Sequence, residues 1–263
     1  MLLALDVGNT HITAGVFRGS ELLARWRLGT DRARTEDEYG VFLRQLFEVD
    51  ALTPEEVLGV VVASVVPPLS GVLEKLAVRY FNKKPLMVRP DTDTGIRVLY
   101  DNPREVGADR IVNALAAYTL YGGPCIVVDF GTATTFDVIS RTGEYLGGAI
   151  SPGILTSTEA LFHKAAKLPR IELIDPGSAI GKNTISSMQA GIVYGFAGQV
   201  DALVKHIRRE LGENATVIAT GGLASMVAPH AETIQKVDVD LTLTGLRLIY
   251  ERHQGIQGIG QEK

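Results

Sequence analysis

The chain has 263 residues, 46% apolar and 21% charged, ordinary globular usage that can bury one large or two medium cores. Its formal net charge of −4 argues against a sequence-blind basic surface for nucleic acid and leaves room for no more than a local patch. No apolar run approaches the roughly 18 residues of a membrane span, and Cys125 is the only cysteine, so an internal disulfide is excluded and a reducing compartment is expected.

Residues 2–7 are a short apolar run suited to a strand covered on both faces. Asp6 interrupts the run and no basic leader precedes it, so a buried first strand is expected here rather than a signal peptide. Residues 10–17 and 22–28 read as two further strands joined by the turn 18–21. Thr35-Glu36-Asp37-Glu38 has capping-box spacing and opens a helix to about residue 47, and Thr53-Pro54-Glu55-Glu56 marks a second helix start. The β-branched run 59–66 predicts a strand ended by Pro67-Pro68, followed by a helix over 69–81, a short strand over 85–88 and a helix over 103–121.

The second half repeats this order. Strands are expected over 125–130, 134–139 and 144–150, then a helix over about 153–166. The longest helix, about 184–211, carries an apolar stripe from Ile185 through Met188, Ile192, Phe196 and Val200 to Leu211. A strand over 216–219 runs into Gly221-Gly222, a helix over 241–253 follows, and the Gly- and Gln-rich tail from Gly255 is expected to fray. Three strands followed by alternating helix and strand, twice over, predict an α/β fold of two similar mixed-sheet domains, residues 1–115 and 116–263. Asn214-Ala215-Thr216 matches a glycosylation sequon, with nothing else pointing to secretion.

The repeat is sharpest at two turns, Asp6-Val7-Gly8-Asn9-Thr10 and Asp129-Phe130-Gly131-Thr132. A polyphosphate with magnesium needs close backbone N–H groups, hydroxyl or amide donors and a carboxylate for the metal and its waters, and the first turn offers all three. An inert Asp-x-Gly-Asn β-turn is the plainer reading of one copy; a twin half a chain away argues against coincidence. Gly221-Gly222-Leu223 could let an adenosine lie against backbone, or be a simple strand-to-helix turn. The stretch 177–182 has three residues between its glycines where a Walker loop needs four, and Asn183 follows the lysine. No Gly-x-Gly-x-x-Gly follows the first strand, and no zinc cluster or nucleophile elbow is present in the sequence. Gly107-Ala108-Asp109-Arg110 lies near a helix start, where a carboxylate could accept a hydroxyl proton and a guanidinium grip an acid; a first-turn carboxylate beside a solvated arginine is the alternative. Tyr100, just upstream, could be packing only.

Together these pieces resemble type III pantothenate kinase, of the acetate-kinase/sugar-kinase/Hsp70/actin superfamily, over residues 2 to about 250. The resemblance rests on Asp6 to Thr10, Tyr100, Gly107 to Arg110, Asn113-Ala114, the stretch 129–135, the stretch 147–153 and Gly181-Lys182-Asn183-Thr184. It implies two duplicated ribonuclease H-like (actin-like) domains with a cleft between them, and ATP-dependent phosphorylation of pantothenate in the cytoplasm, the first step toward coenzyme A. Asp6, Val7, Gly8, Asn9, Thr10, His11, Ile12 and Thr13 would bind ATP together with Thr132. Asp6 would lie near magnesium, and Asp129 would hold a monovalent cation, potassium or ammonium. Asp109 would be the catalytic base, with Tyr100, Gly107, Ala108, Asp109, Arg110 and Thr184 holding pantothenate.

The resemblance also implies a homodimer with substrate sites near the subunit boundary, so Gly191, Gly195 and Gly198 on the long helix could mark a dimer contact or packing within one chain. No nucleic acid or membrane partner is implied. One departure is His11, where many relatives carry Asn; a neutral imidazole can still donate to a phosphate oxygen, but its charge varies around about pH 6.5. Two rivals remain at this point, another small-molecule kinase of the superfamily and a non-catalytic regulatory relative.

Overall fold

The computed structural model describes residues 1–255, so the tail expected to fray lies, after Gly255, outside the described residues. The chain forms two compact units: residues 1–96, 101–116 and the described residues from Thr242 on make the first, and 97–100 with 117–241 the second. The sequence pattern puts residues 242–253 with the second half. The structure groups them with the first, because their apolar stripe covers the first sheet.

In the first unit, β1 (Leu2–Val7), β2 (His11–Arg18), β3 (Glu21–Gly29), β4 (Gly59–Ser64) and β5 (Leu86–Val88) form a mixed sheet in the order β3-β2-β1-β4-β5. β1 pairs antiparallel with β2 and parallel with β4. Odd and even residues of β1 serve different faces, as strand geometry requires. Leu3, Leu5 and Val7 pack with Ile12, Val16, Trp26 and the helices α1 (Glu36–Val49) and α2 (Ser70–Phe81). Leu2 and Ala4 pack on the other face with Val112 of α3 (Ala108–Tyr121) and with Leu243, Leu246 and Ile249 of α7 (Leu241–His253).

The second unit repeats the plan. The strands β7 (Cys125–Phe130), β8 (Ala133–Ile139), β9 (Glu144–Pro152), β10 (Thr216–Thr220) and β11 (Lys236–Val237) take the order β11-β10-β7-β8-β9, and β6 (Arg97–Val98) adds to the β9 edge. Again the central strand, β7, is antiparallel to β8 and parallel to β10. The burial of β7 matches that of β1 residue for residue, with only the fifth position of each, Asp6 and Asp129, less than fully buried. The helices α4 (Ile154–Lys164), α5 (Thr184–Leu211) and α6 (Ala224–Val227) lie in this unit; Ile154, Val200, Val204 and Ala224 pack with Ile126, Val128 and Phe130 of β7. Each unit thus has the strand order of a ribonuclease H-like domain.

Several boundaries differ from the sequence pattern for local reasons. The capping box at Thr35 is formed as expected, its side chain accepting from the Glu38 N–H while Glu38 accepts from the Thr35 N–H. The start at Thr53 yields only a 3₁₀ turn, Pro54–Glu56, because Val57 is extended and buried. The helix expected over 103–121 is broken: Asn102 caps a 3₁₀ turn at Pro103–Glu105, Val106 is extended, and α3 starts at Ala108. β6, α6 and β11, of two to four residues each, are too short for a periodic signal.

The closing helix fits tightly. A Cβ on Gly245 would sit 2.3 Å from the Val112 carbonyl oxygen, and Thr242 donates to Asn113 Oδ1 at 2.8 Å, so α7 and α3 approach closely on one face of the first sheet. Leu246 is fully buried there. Leu246→Ala is expected to cost about 2–5 kcal/mol in urea unfolding, as for a large-to-small core change. A loss within 0.5 kcal/mol, the size of about an ordinary surface change, would refute this placement of α7.

Candidate functional site

The first Asp-x-Gly turn joins β1 to β2. Val7 is the last residue of β1 and pairs with Ile12; the Gly8 N–H then closes the turn on the His11 carbonyl at 2.9 Å. Asp6 pairs across to Thr13, and Thr13 pairs across to Arg27 of β3. Directly opposed residues share a face of a sheet. Asp6, Thr13 and Arg27 therefore stand in one row, on the face that α3 and α7 cover elsewhere. His11 follows on the same face, its Nδ1 2.9 Å from Arg27 Nη2. Burial, and then the Arg27 charge, lowers the pKa of the His11 imidazole.

The loop after β3 braces the turn. The Thr30 hydroxyl donates to the Gly8 carbonyl at 2.7 Å, the Thr30 N–H to the Thr10 carbonyl at 3.0 Å, and Arg32 Nη2 to Asn9 Oδ1 at 3.0 Å. Arg27, Thr30 and Arg32 escaped the sequence reading. Thr30 and Arg32 lie in a basic, polar run after the second hairpin strand, which carries no motif, and Arg27 is one of the alternating charged residues within that strand.

The twin turn is one residue shorter. Phe130 pairs with Thr134, and the Gly131 N–H reaches the Ala133 carbonyl at 3.0 Å. Thr132 is held from outside: its carbonyl accepts from the Gly153 N–H at 3.1 Å and from the Thr156 hydroxyl at 2.8 Å, both at the start of α4. Asp129 lies between Thr135 of β8 and Thr220 of β10 in register. Beyond Thr220, Gly221 has φ +90°, and a Cβ there would sit 2.4 Å from Asp129 Oδ1 and 2.8 Å from the Phe130 backbone. Gly221 thus lines the carboxylate of Asp129 as bare backbone, a closer engagement than a plain strand-to-helix turn requires.

Tyr100 and Thr184 also belong to the second unit. The Tyr100 ring packs on Tyr145, centroids 6.3 Å apart, and lies over Gly147. Tyr145 in turn donates to Asp137 Oδ1 at 2.9 Å, and Thr135 donates to Asp137 Oδ2 at 3.0 Å, which satisfies a fully buried carboxylate. Thr184 is the first residue of α5, whose N-cap Asn183 accepts from the Ser186 N–H at 2.9 Å. That capping duty accounts for Asn183 where a Walker loop would carry Ser or Thr.

Asp109 and Arg110 sit in the first turn of α3, in the same unit as the Asp6 turn. The break at Val106 and Gly107 makes this a genuine helix N-terminus, whose orphan N–H groups favour negative charge. Asp109 Oδ1 accepts from the Arg110 N–H at 2.9 Å, and a Cβ on Gly107 would lie 2.5 Å from that same oxygen. Arg110 is 8% exposed. Although the Asp109 residue keeps some surface, burial pushes its carboxyl above the usual carboxylate range, against the pull of the Arg110 N–H and charge.

Among the described residues, no group of three or more His, Cys, Asp and Glu side chains could cage a metal ion. Magnesium arriving with a nucleotide needs only one or two carboxylates, its other ligands being phosphate oxygens and waters, and Asp6 fits that demand. The Gly221 backbone leaves the Asp129 carboxylate uncrowded by any side chain at that position, so the carboxylate can offer a cation a hard oxygen donor there. No described helix is long and apolar enough to cross a membrane.

A family model described as type III pantothenate kinase matches residues 2–206. A curated relative from Moorella thermoacetica, named type III pantothenate kinase, is 56% identical over 253 residues, covering 96% of this chain and all of its own. One from Geobacter sulfurreducens with the same name is 54% identical over 254 residues, covering 97% and 100%. Among solved structures, the ethanolamine utilization protein EutJ from Carboxydothermus hydrogenoformans aligns with TM-score 0.56 at 16% identity, over 94% of this chain and 89% of its own. An inorganic polyphosphate/ATP-glucomannokinase from Arthrobacter sp. strain KM aligns with TM-score 0.50 at 15% identity, over 98% and 99%. At such identities these two speak for the fold alone.

The environment of Asp109 has a thermodynamic signature. Its native pKa lies above the unfolded value, so the charged form costs stability, and the cost disappears as pH falls through the native and then the unfolded value. Asp109→Asn removes the charge and keeps an acceptor for the Arg110 N–H. The variant is expected to melt above wild type at pH 7, by about 2–4 °C for each kcal/mol relieved. In melts across pH, the gap should close below about 3.9, the ordinary aspartate value. A variant that melts below wild type at neutral pH would contradict the strained charge.

Proposed function

The chain belongs to the type III pantothenate kinase family, and from that premise we propose that it transfers the γ-phosphoryl group of ATP to the primary hydroxyl of pantothenate, giving 4'-phosphopantothenate for coenzyme A synthesis. The observation that carries the mechanism is Asp109, a base candidate with a raised pKa at a helix N-terminus, in the same unit as the Asp6 turn. The backbone N–H groups of the β1–β2 turn, with Asn9, Thr10, His11 and Thr13, receive the phosphates. Asp6 would hold the magnesium that arrives with the nucleotide, whose charge would offset that of the phosphates.

The hydroxyl oxygen of pantothenate attacks the γ-phosphorus, the bond to the bridging oxygen of ADP breaks, and Asp109 takes the hydroxyl proton. A loose transition state leaves the protein mainly positioning and charge neutralisation to supply. Arg110 grips the pantothenate carboxylate, a bidentate match in charge and shape. The reading also assigns pantothenate contacts to Tyr100, which packs on Tyr145 and over Gly147, and to Thr184, at the capped start of α5. Thr132 would contact ATP, and Asp129 would hold the potassium or ammonium ion, supplying a fixed positive charge at the second turn.

A homodimer in the cytoplasm completes the reading. The face of α5 that carries Gly191, Gly195 and Gly198 supports it, since a Cβ on any of the three would meet nothing within 4 Å. Small residues on an open helix face permit close approach of a second helix.

A coupled assay with ATP, potassium and either pantothenate, acetate or a sugar tests the substrate. Turnover with pantothenate alone is expected, and turnover with acetate or a sugar instead would overturn it. Asp109→Asn should lower kcat by about 10²–10⁴-fold, the usual worth of a positioned base, while ATP binding survives. The wild-type kcat/KM should fall with decreasing pH along a limb whose midpoint lies above about 3.9, since only the deprotonated carboxylate accepts a proton. Gly221→Ala should raise the potassium concentration for half-activation by about tenfold or more, because the new Cβ strains a left-handed residue and presses on Asp129. An unchanged potassium dependence would remove Asp129 from the cation site.

A further inference from the structure

The pairing of Arg27 with His11 has a chemical consequence beyond contact. A guanidinium has five N–H donors, no acceptor, and stays protonated in proteins. An imidazole nitrogen 2.9 Å from Arg27 Nη2 must therefore be the acceptor. That nitrogen is Nδ1, so in neutral His11 the proton resides on Nε2. A doubly protonated ring would lose the bond and meet a second cation.

We propose that Arg27 is a positioning residue of the nucleotide site, which fixes His11 as the Nε2–H tautomer so that its ring presents a constant, neutral donor to a phosphate oxygen. The proposal rests on the ATP-binding reading of the β1–β2 turn. The cross-strand geometry supports it: His11 opposes Gly29, which has no side chain to intrude, and Arg27 is one pleat back, opposite Thr13 and in row with Asp6. The register leaves the Arg27 head free to reach along the face to the ring. The charged groups on neighbouring elements are Asp6 on β1, Arg25 and Arg27 on the same face of β3, and Arg32 in the following loop, which donates to Asn9; Asp109 and Arg110 stand at the start of α3 in the same unit. The lowered pKa of His11 agrees, burial being the larger cause and Arg27 the second. A ring that would otherwise gain charge at about pH 6.5 is thus biased toward its uncharged form, and nucleotide affinity becomes less sensitive to pH.

The test uses the intact protein, ¹⁵N-labelled at histidine, with the His11→Asn spectrum identifying which of the five histidine signals belongs to position 11. Wild type is expected to show a protonated Nε2 and an unprotonated, acceptor-type Nδ1 at His11. Arg27→Gln, whose amide can donate or accept, should mix the two tautomers and raise the His11 pKa part of the way to its ordinary value. Calorimetric titration with MgATP gives the second readout. The ratio of Arg27→Gln to wild-type Kd should be a few-fold to about tenfold near pH 8, the worth of one hydrogen bond, and shrink toward pH 6 as His11 protonates and binds as a cation.

Arg27→Lys, a donor that keeps its charge, should restore the wild-type profile. In a His11→Asn background, Arg27→Gln should change Kd by a factor that does not vary with pH. A protonated Nδ1 in wild type overturns the proposal, and so does a pH-dependent ratio that survives in the His11→Asn background or a ratio that is flat when His11 is present. Failure of the kinase reading would show separately, as absent pantothenate turnover with these nitrogen shifts and Kd ratios intact.

Discussion

The candidate chemistry depends on the point where a buried central strand runs out. β1 and β7 each pair antiparallel on one side and parallel on the other, and each is fully buried but for one residue. An aspartate one residue before the end of such a strand has a fixed backbone on both sides and only its carboxylate left to place. The glycine two residues on closes the turn through its N–H, on His11 in one copy and on Ala133 in the other. Ladder hydrogen bonds and core packing thus fix the strands, and contacts from the loop after β3 and the start of α4 fix the turns at their ends.

Identical frames then acquire different surroundings. The first turn has the extra residue, a neighbour strand that carries Arg25 and Arg27, and a loop that pins Gly8, Asn9 and Thr10. Its flanking side chains are cationic, in keeping with the proposed phosphate site. The second turn is shorter, clamped by α4, and faces the bare backbone of Gly221. Its one charged group is the carboxylate of Asp129, which the proposed reading gives to a monovalent cation. The third carboxylate, Asp109, owes its place to the break in the helix expected over 103–121: without the extended Val106, it would lie mid-helix and lose the N-terminal field.

Much of this was legible in the residues. The repeated strand–Asp-x-Gly–strand pattern encodes both hairpins, since apolar runs, turn glycines and β-branched residues are local signals. The capping boxes at Thr35 and Asn183 are equally local, although the second hid behind an apparent Walker remnant. What escaped depends on contacts distant in sequence. The closing helix joins the first sheet because Leu243, Leu246 and Ile249 match Leu2, Ala4 and Val112, a fit that no short window reveals. Arg27 and Arg32 look like solvated charges until the strand register puts them beside His11 and Asn9. The burial of Asp137 with Tyr145 and Thr135 arises only from the pairing of β8 with β9, which a single strand's sequence does not show.

Product analysis tests the central claim most directly. Wild-type protein is incubated with ATP, magnesium, potassium and pantothenate, and phosphorus-31 resonance with mass spectrometry identifies where the γ-phosphoryl group goes. The account predicts a single new phosphomonoester on the primary hydroxyl of pantothenate, formed one-for-one with ADP. ATP consumed to inorganic phosphate with pantothenate recovered unchanged would contradict it.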